Sequence, residues 1–219
     1  MFSGFRLLFA KEIMTLTRGK SIFGVSLGIA FVLSFAVSMP LAEVALDPTV
    51  IATLIWTILF FSTIGVHLGS FTVEENQGTY DLLKLATSPT AIFMSKVAAN
   101  TILMLVIGLV CIPLMVLWLG VDVVVLPTVL LVSIIGCLCL SLSEGFIGYL
   151  LSKARVGEVA APIILLPVVL PILVSLIIIT SSVLEKGTIS INLVVVIVSL
   201  SLAILVASLL FLPMLEEWL

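Results

Sequence analysis

Six long apolar runs, separated by short clusters of charge, decide what this chain of 219 residues can fold into. They cover about 21–39, 49–71, 95–119, 124–151, 159–183 and 190–213. A helix rising ~1.5 Å per residue needs roughly 20 such residues to cross a hydrocarbon core of ~30 Å. Inside that core every backbone N–H and C=O must be paired within the segment, which an α-helix does by itself. A β-barrel would need ~10-residue segments of alternating polarity, and the Leu/Val/Ile runs here do not alternate. The expected fold is all-α: a polytopic membrane protein with six transmembrane helices, built as a single transmembrane domain over residues 1–219. With 62% apolar and only 10% charged residues, no segment is left over for a soluble domain.

Residues 2–17 precede the first run. Phe2, Phe5, Phe9, Ile13 and Leu16 recur at three- and four-residue steps, with Arg6, Lys11, Glu12 and Arg18 off that stripe. This pattern predicts a helix lying in the membrane interface, its cations near anionic headgroups of the lipid bilayer. The run that follows is full length and no small-residue cleavage pattern comes after it, so no removable signal peptide is expected. Counting cations sets the orientation. With the N-terminus inside, the cytoplasmic segments collect Arg6, Lys11, Arg18, Lys20, Lys84, Lys96, Lys153 and Arg155, and only Lys186 falls outside. Both termini are then cytoplasmic by the positive-inside rule. The net charge of −3 argues against a nucleic-acid partner.

The longest polar interval runs from Phe71 to Pro89, on the cytoplasmic side. Glu74, Glu75, Asp81 and Lys84 are interleaved with Tyr80, Leu82, Leu83 and Leu85. Residues 74–88 therefore predict a short amphipathic helix beneath the membrane, with one apolar and one charged side. The complete phosphate loop that ends in Gly-Lys-Ser/Thr is absent, so the chain is not expected to hydrolyse nucleotide or to be an enzyme. Any ATP hydrolysis belongs to another chain.

Few residues in the runs carry chemistry. Glu144 is the acid placed well inside a span, in Leu140–Gly148. An ionisable group at that depth is a functional candidate, or it reaches toward the interface near Lys153. His67, the single histidine, reads as a hydrogen-bond partner of a neighbouring helix, since no second ligand stands at helical spacing. Met39 and Met115, near the outer surface, read as core residues, and Cys111, Cys137 and Cys139 as small apolar ones. Pro162, Pro167 and Pro171 fall within one run, which predicts a kinked or partly unwound helix: a gate facing a partner, or a static kink. Pro113 makes a weaker case. No metal site and no bound cofactor are expected.

Two motif groups carry a family resemblance. The first is Phe71, Glu74/Glu75, Gly78-Thr79, Leu82, Leu85 and Ser88-Pro89, followed by Lys96-Val97-Ala98. The second is Leu165-Leu-Pro-Val-Val-Leu-Pro-Ile-Leu173, preceded by Ala154-Arg-Val-Gly157. With the length and the six spans, the chain resembles the type-2 ABC exporter permeases and, within them, the haem exporter B subunit family (CcmB-like) of cytochrome c maturation. The resemblance implies a cytoplasmic ABC ATPase subunit, a second, haem-handling membrane subunit, and haem as substrate. By position, residues 74–88 match the class's coupling helix, with Tyr80, Leu82 and Leu83 as anchors in an ATPase groove and Glu74, Glu75 and Asp81 as polar orienters. Such permeases need two membrane halves, so a homodimer in the cell inner (plasma) membrane is expected, with the small residues around Gly145 and Gly148 as one candidate face. The outer loops hold no His, Cys, Tyr or Trp, so direct haem ligation is not expected. The alternatives are an ABC-2 permease for another hydrophobic substrate, a lipid or a drug, and a non-transporting scaffold that relays ATPase motion.

Overall fold

The computed structural model describes residues 2–18, 22–76, 78–153 and 161–217, and these are helical almost throughout. Helix α1 spans Phe2–Arg18, α2 Ile22–Leu41, α3 Pro48–Asn76 and α4 Thr79–Ala86. Helix α5 spans Pro89–Trp118, α6 Leu126–Lys153, α7 Ala161–Lys186 and α8 Ile191–Glu217. Six of these, α2, α3, α5, α6, α7 and α8, are long and apolar enough to cross a membrane. The chain is a multi-pass membrane protein, as its apolar runs predict.

Two boundaries differ from the sequence expectation. The second span does not stop near residue 71 but continues as one helix to Asn76, carrying Glu74 and Glu75 with it. The third begins at Pro89 rather than 95, because Ser88 caps it, accepting the Ala91 N–H at 3.4 Å, and Pro89 supplies a preset first turn. Lys96 thus lies inside a helix and not at its edge. The turn before α3 is built the same way: Asp47 accepts the Thr49 N–H at 2.7 Å ahead of Pro48, and that bond holds its carboxyl below the usual range. Asp122 repeats the cap on the Val124 N–H at 3.0 Å.

Helices α3 and α6 pack on each other and each on both α5 and α7, α2 lies against α3 and α5, and α8 against α5, α6 and α7. Trp56 of α3 fixes the centre. It is 1% exposed, its Nε1–H donates to Thr180 Oγ1 of α7 at 2.9 Å, and its ring covers Gly136 of α6. Several hydroxyls in the spans return to their own helix backbone, as Thr63 does to Leu59 O at 2.9 Å and Ser143 to Cys139 O at 2.8 Å, while the buried Ser34 and Ser38 hydroxyls of α2 make no hydrogen bond. The three cysteines are buried and unlinked. The outward faces of α2, α7 and α8 are aliphatic and aromatic, as a lipid-facing surface requires.

Helix α7 is not unwound at its prolines: it runs unbroken from Ala161 to Lys186 through Pro167 and Pro171, and α5 runs likewise through Pro113. Buried Leu165, Val169, Ile172 and Leu176 hold the inward side of α7, while both prolines face outward. The side chain of Pro162 and the segment Ala154–Gly157 lie outside the described residues. Gly145 and Gly148 are also turned inward, against Val97 and the His67 carbonyl, and so are closed to a second copy.

An added methyl at Gly136 has no room, since it meets the Trp56 ring and Leu176 Cδ2 at 2.8 Å. Gly136→Ala should lower stability by about 1–3 kcal/mol, read as a fall in the thermal midpoint in lipid nanodiscs. Gly28→Ala, inside α2 and meeting nothing within 4 Å, should not lower the midpoint.

Candidate functional site

The polar interval divides at Gly78. Its first half ends α3 and its second half is the separate helix α4, so residues 74–88 are not one helix as expected. At Gly78 the backbone turns left-handed, φ +67°, and its N–H bonds to Glu75 O at 3.1 Å. Only glycine adopts that conformation without a steric penalty, which lets the chain reverse within two residues of a membrane span.

The reversal sorts the expected anchors differently. Tyr80 is 3% exposed and packs inward with Phe71, Phe93 and Tyr149, so it cannot serve as an outward anchor. Leu83 is half-buried against the same cluster. Leu82 and Leu85 point outward, 67% and 88% exposed, and form the free apolar edge of α4. Lys84 lies half-buried with Nζ 5.4 Å from the Tyr80 ring centre. The side chain of Asp81 lies outside the described residues.

Glu74 does not orient a partner either; it is buried in an ion cluster that joins three helices. Lys11 of α1 and Lys96 of α5 both bind it, Lys96 at 3.0 Å. Lys96 also reaches Glu12 Oε1 at 3.2 Å and donates to Ser70 O at 2.7 Å, and Lys11 meets Glu12 at 3.0 Å. Two cations and two carboxylates cancel, which is how an ammonium only 2% exposed is tolerated here. Burial pulls the Lys11 pKa down, but the hydrogen bond to Glu74 and the attraction of Glu12 outweigh it and hold the pKa above the usual 10.5. Helix α1 is tied down by this cluster: it buries Leu8 and Glu12, while the predicted stripe of Phe5, Phe9, Ile13 and Leu16 is only half-buried.

A second tie uses Glu75. Lys153, at the end of α6, bonds Glu75 at 3.1 Å and lies 3.9 Å above the Tyr80 ring, a cation–π contact. One lysine thereby joins α3, α4 and α6. Deeper in the bundle Glu144 of α6 meets His67 of α3, Oε2 to Nδ1, with both side chains fully buried. Glu144 does not reach for the interface near Lys153; its Oε2 is held by the histidine where it stands. Gly148 permits the approach; a Cβ there would stand 3.3 Å from His67 O. The His67 ring is enclosed, and among the described residues no group of three or more His, Cys, Asp or Glu could hold a metal ion. Met115 is 1% exposed and Met39 59%.

Lys11, Glu12, Lys96 and Lys153 were absent from the expected site residues. Their signal in the sequence was their proximity to span ends, which also fits headgroup contacts.

Lys96→Met leaves Glu12 and Glu74 buried with one cation between them, and should cost about 3 kcal/mol of stability. An unchanged unfolding midpoint in nanodiscs would contradict the cluster's role. Because the folded pKa of Lys11 is raised, its contribution is complete below the unfolded value of 10.5 and is lost only as pH rises through the higher folded value. The midpoint should therefore not fall on this account between about pH 7 and 10.

A family model described as CcmB protein matches residues 4–216, from the first turn of α1 to the end of α8. No curated protein and no solved structure matches the chain significantly. Six apolar spans, an ion-clamped helix α1 and an eight-residue helix between the second and third spans all lie within the matched region. The chain belongs to the CcmB family, the haem exporter B subunit family of ABC-type haem transport in cytochrome c biogenesis.

Proposed function

We propose that this chain is the membrane permease subunit of an ATP-driven complex acting in haem handling or export for cytochrome c maturation, and that a cytoplasmic ABC ATPase docks on α4. The observation that carries this reading is the outward pair Leu82 and Leu85 on a helix outside the six spans. Two leucines presented side by side outside the membrane are costly in water and suit burial in a partner's groove, as interface anchors flanked by charge do. The bundle end that carries α4 also carries Arg6, Lys11, Lys84, Lys96 and Lys153, whereas Lys186 closes α7 at the other end. That asymmetry favours a cytoplasmic α4 and cytoplasmic termini in the inner membrane.

The ties described above supply a route for motion. A push on α4 reaches α6 through Tyr80 and Lys153, and α3 through the turn at Gly78. From α3 it reaches α1 and α5 through Glu74. ATP is hydrolysed in the separate chain. Haem is then substrate, not resident cofactor, and its ligands come from a haem-handling membrane subunit or from apolar contacts. Two copies of this chain pair with two ATPases.

Leu82→Asp combined with Leu85→Asp should abolish co-purification with the ATPase while leaving the unfolding midpoint of the isolated chain within a degree or two of the parent. Retention of the ATPase by the folded double variant would sink the docking assignment.

A further inference from the structure

The His67–Glu144 contact is not needed for docking, and its chemistry points elsewhere. The two residues lie at equal depth. His67 precedes the end of α3 at Asn76 by nine residues, and Glu144 precedes the end of α6 at Lys153 by the same nine. At ~1.5 Å per residue this sets the pair about 14 Å inside those ends. Each side chain is fully buried. Nδ1 faces Glu144 Oε2, the Asn100 backbone of α5 lies beside the ring, and Nε2, Glu144 Oε1 and Asn100 Nδ2 make no regular hydrogen bond.

The charged groups around the pair are already committed. On α3, two turns on, Glu74 is bound by Lys11 and Lys96, and Glu75 by Lys153. On α5, Lys96 lies one turn from Asn100 and points to Ser70 O, Glu12 and Glu74. On α6, Ser141 donates to Val97 O and Ser143 to Cys139 O. Helix α7 brings only Glu185 and Lys186, at the opposite end of the bundle, and α2 carries no ionisable residue. Among the described residues, then, the charge of Glu144 is balanced by what its histidine carries.

Proton counting follows. With Glu144 a carboxylate and the imidazole neutral the pair is net −1, the ring's own proton lying on Nδ1 toward Oε2 or on Nε2. With one further proton it is neutral overall, whether drawn as carboxylic acid and imidazole or as carboxylate and imidazolium. With two further protons it is net +1. In a buried setting the neutral state is strongly favoured over either charged one. The structure assigns to His67 and Glu144, we infer, a proton-binding site that holds one proton in the Nδ1–Oε2 contact and latches α3 to α6. Its ligand is the proton itself. Releasing it leaves a buried pair of net charge −1 that only water or a new cation can stabilise, so release favours the parting of α3 from α6. The Glu75–Lys153 tie lies on the same pair of helices in nearly the same register. Movement of the α4 end relative to α6 therefore loads this contact, whatever partner drives it.

Because the chain has one histidine, ¹⁵N-histidine NMR of the full chain in nanodiscs reads this site alone. Wild type should show one unchanging imidazole spectrum with a hydrogen-bonded Nδ1 from about pH 5 to 8, where a free imidazole titrates near 6.5. Glu144→Gln should convert the ring to an ordinary neutral tautomer with a shifted Nδ1 signal, and Glu144→Asp should restore part of the wild-type spectrum. Wild-type titration near 6.5, or identical wild-type and Glu144→Gln spectra, would overturn the proton site; the wild-type arm requires no variant to fold. For the latch, amide hydrogen exchange in α3 around Ser70 should rise at least tenfold in folded Glu144→Ala, and unchanged exchange would refute it. Neither measurement involves an ATPase, so a failure here is distinct from failure of the docking reading.

Discussion

Glu74 stands near the end of a span, and the end of the bundle that carries α4 is arranged around neutralising it. A carboxylate with so little access to water is tolerable only among cations, and Lys11 and Lys96 come from helices on either side to supply them. Those two bonds draw α1 against the bundle and allow Lys96 to sit inside α5. They also let α3 run on to Asn76 instead of stopping at its last apolar residue. With Glu74 held, Gly78 can turn the chain back and place α4 with Tyr80 inward and two leucines outward.

The membrane imposes the rest. Spans with no polar side to distinguish one face from another cannot be positioned by amphipathicity, so the few polar contacts set the register. Trp56 to Thr180 ties α3 to α7, Ser141 to Val97 O ties α6 to α5, and His67 to Glu144 ties α3 to α6. Each is a single contact, and each is placed where a glycine or a small side chain allows the backbones close together. Gly148 does this beside His67, and Gly136 beneath Trp56.

The six spans were legible because crossing hydrocarbon demands a length of apolar sequence that nothing else in a chain resembles. The end that carries α4 was legible only in outline. Glu74 read as part of an amphipathic helix beneath the membrane and Lys96 as a cytoplasmic cation, because charge ordinarily marks a membrane border. Recognising them as parts of spanning helices required knowing that Lys11 and Glu12, 63 and 84 residues away in their pairings, would cancel them. Tyr80 read as an anchor by residue type, while the turn at Gly78 decides which way it faces. His67 and Glu144 were each singled out, yet helical periodicity speaks only of one helix at a time. Their equal distance from the ends of α3 and α6 was the overlooked signal, and Glu75 with Lys153 repeats the same alignment one level nearer the surface. Family membership, by contrast, was visible in the short motifs around Gly78 and between Leu165 and Leu173.

An ATPase acting on α4 would do so through its outward leucine edge, Leu82 and Leu85. Site-specific photo-crosslinking in intact membranes tests this docking most directly, with a photoreactive residue at Leu85 and, as the comparison, at Val124, 80% exposed at the opposite end of the bundle. Leu85 should capture a nucleotide-binding protein and Val124 should not. Capture of that protein from Val124, or none from Leu85 in a complex that still hydrolyses ATP, would contradict it.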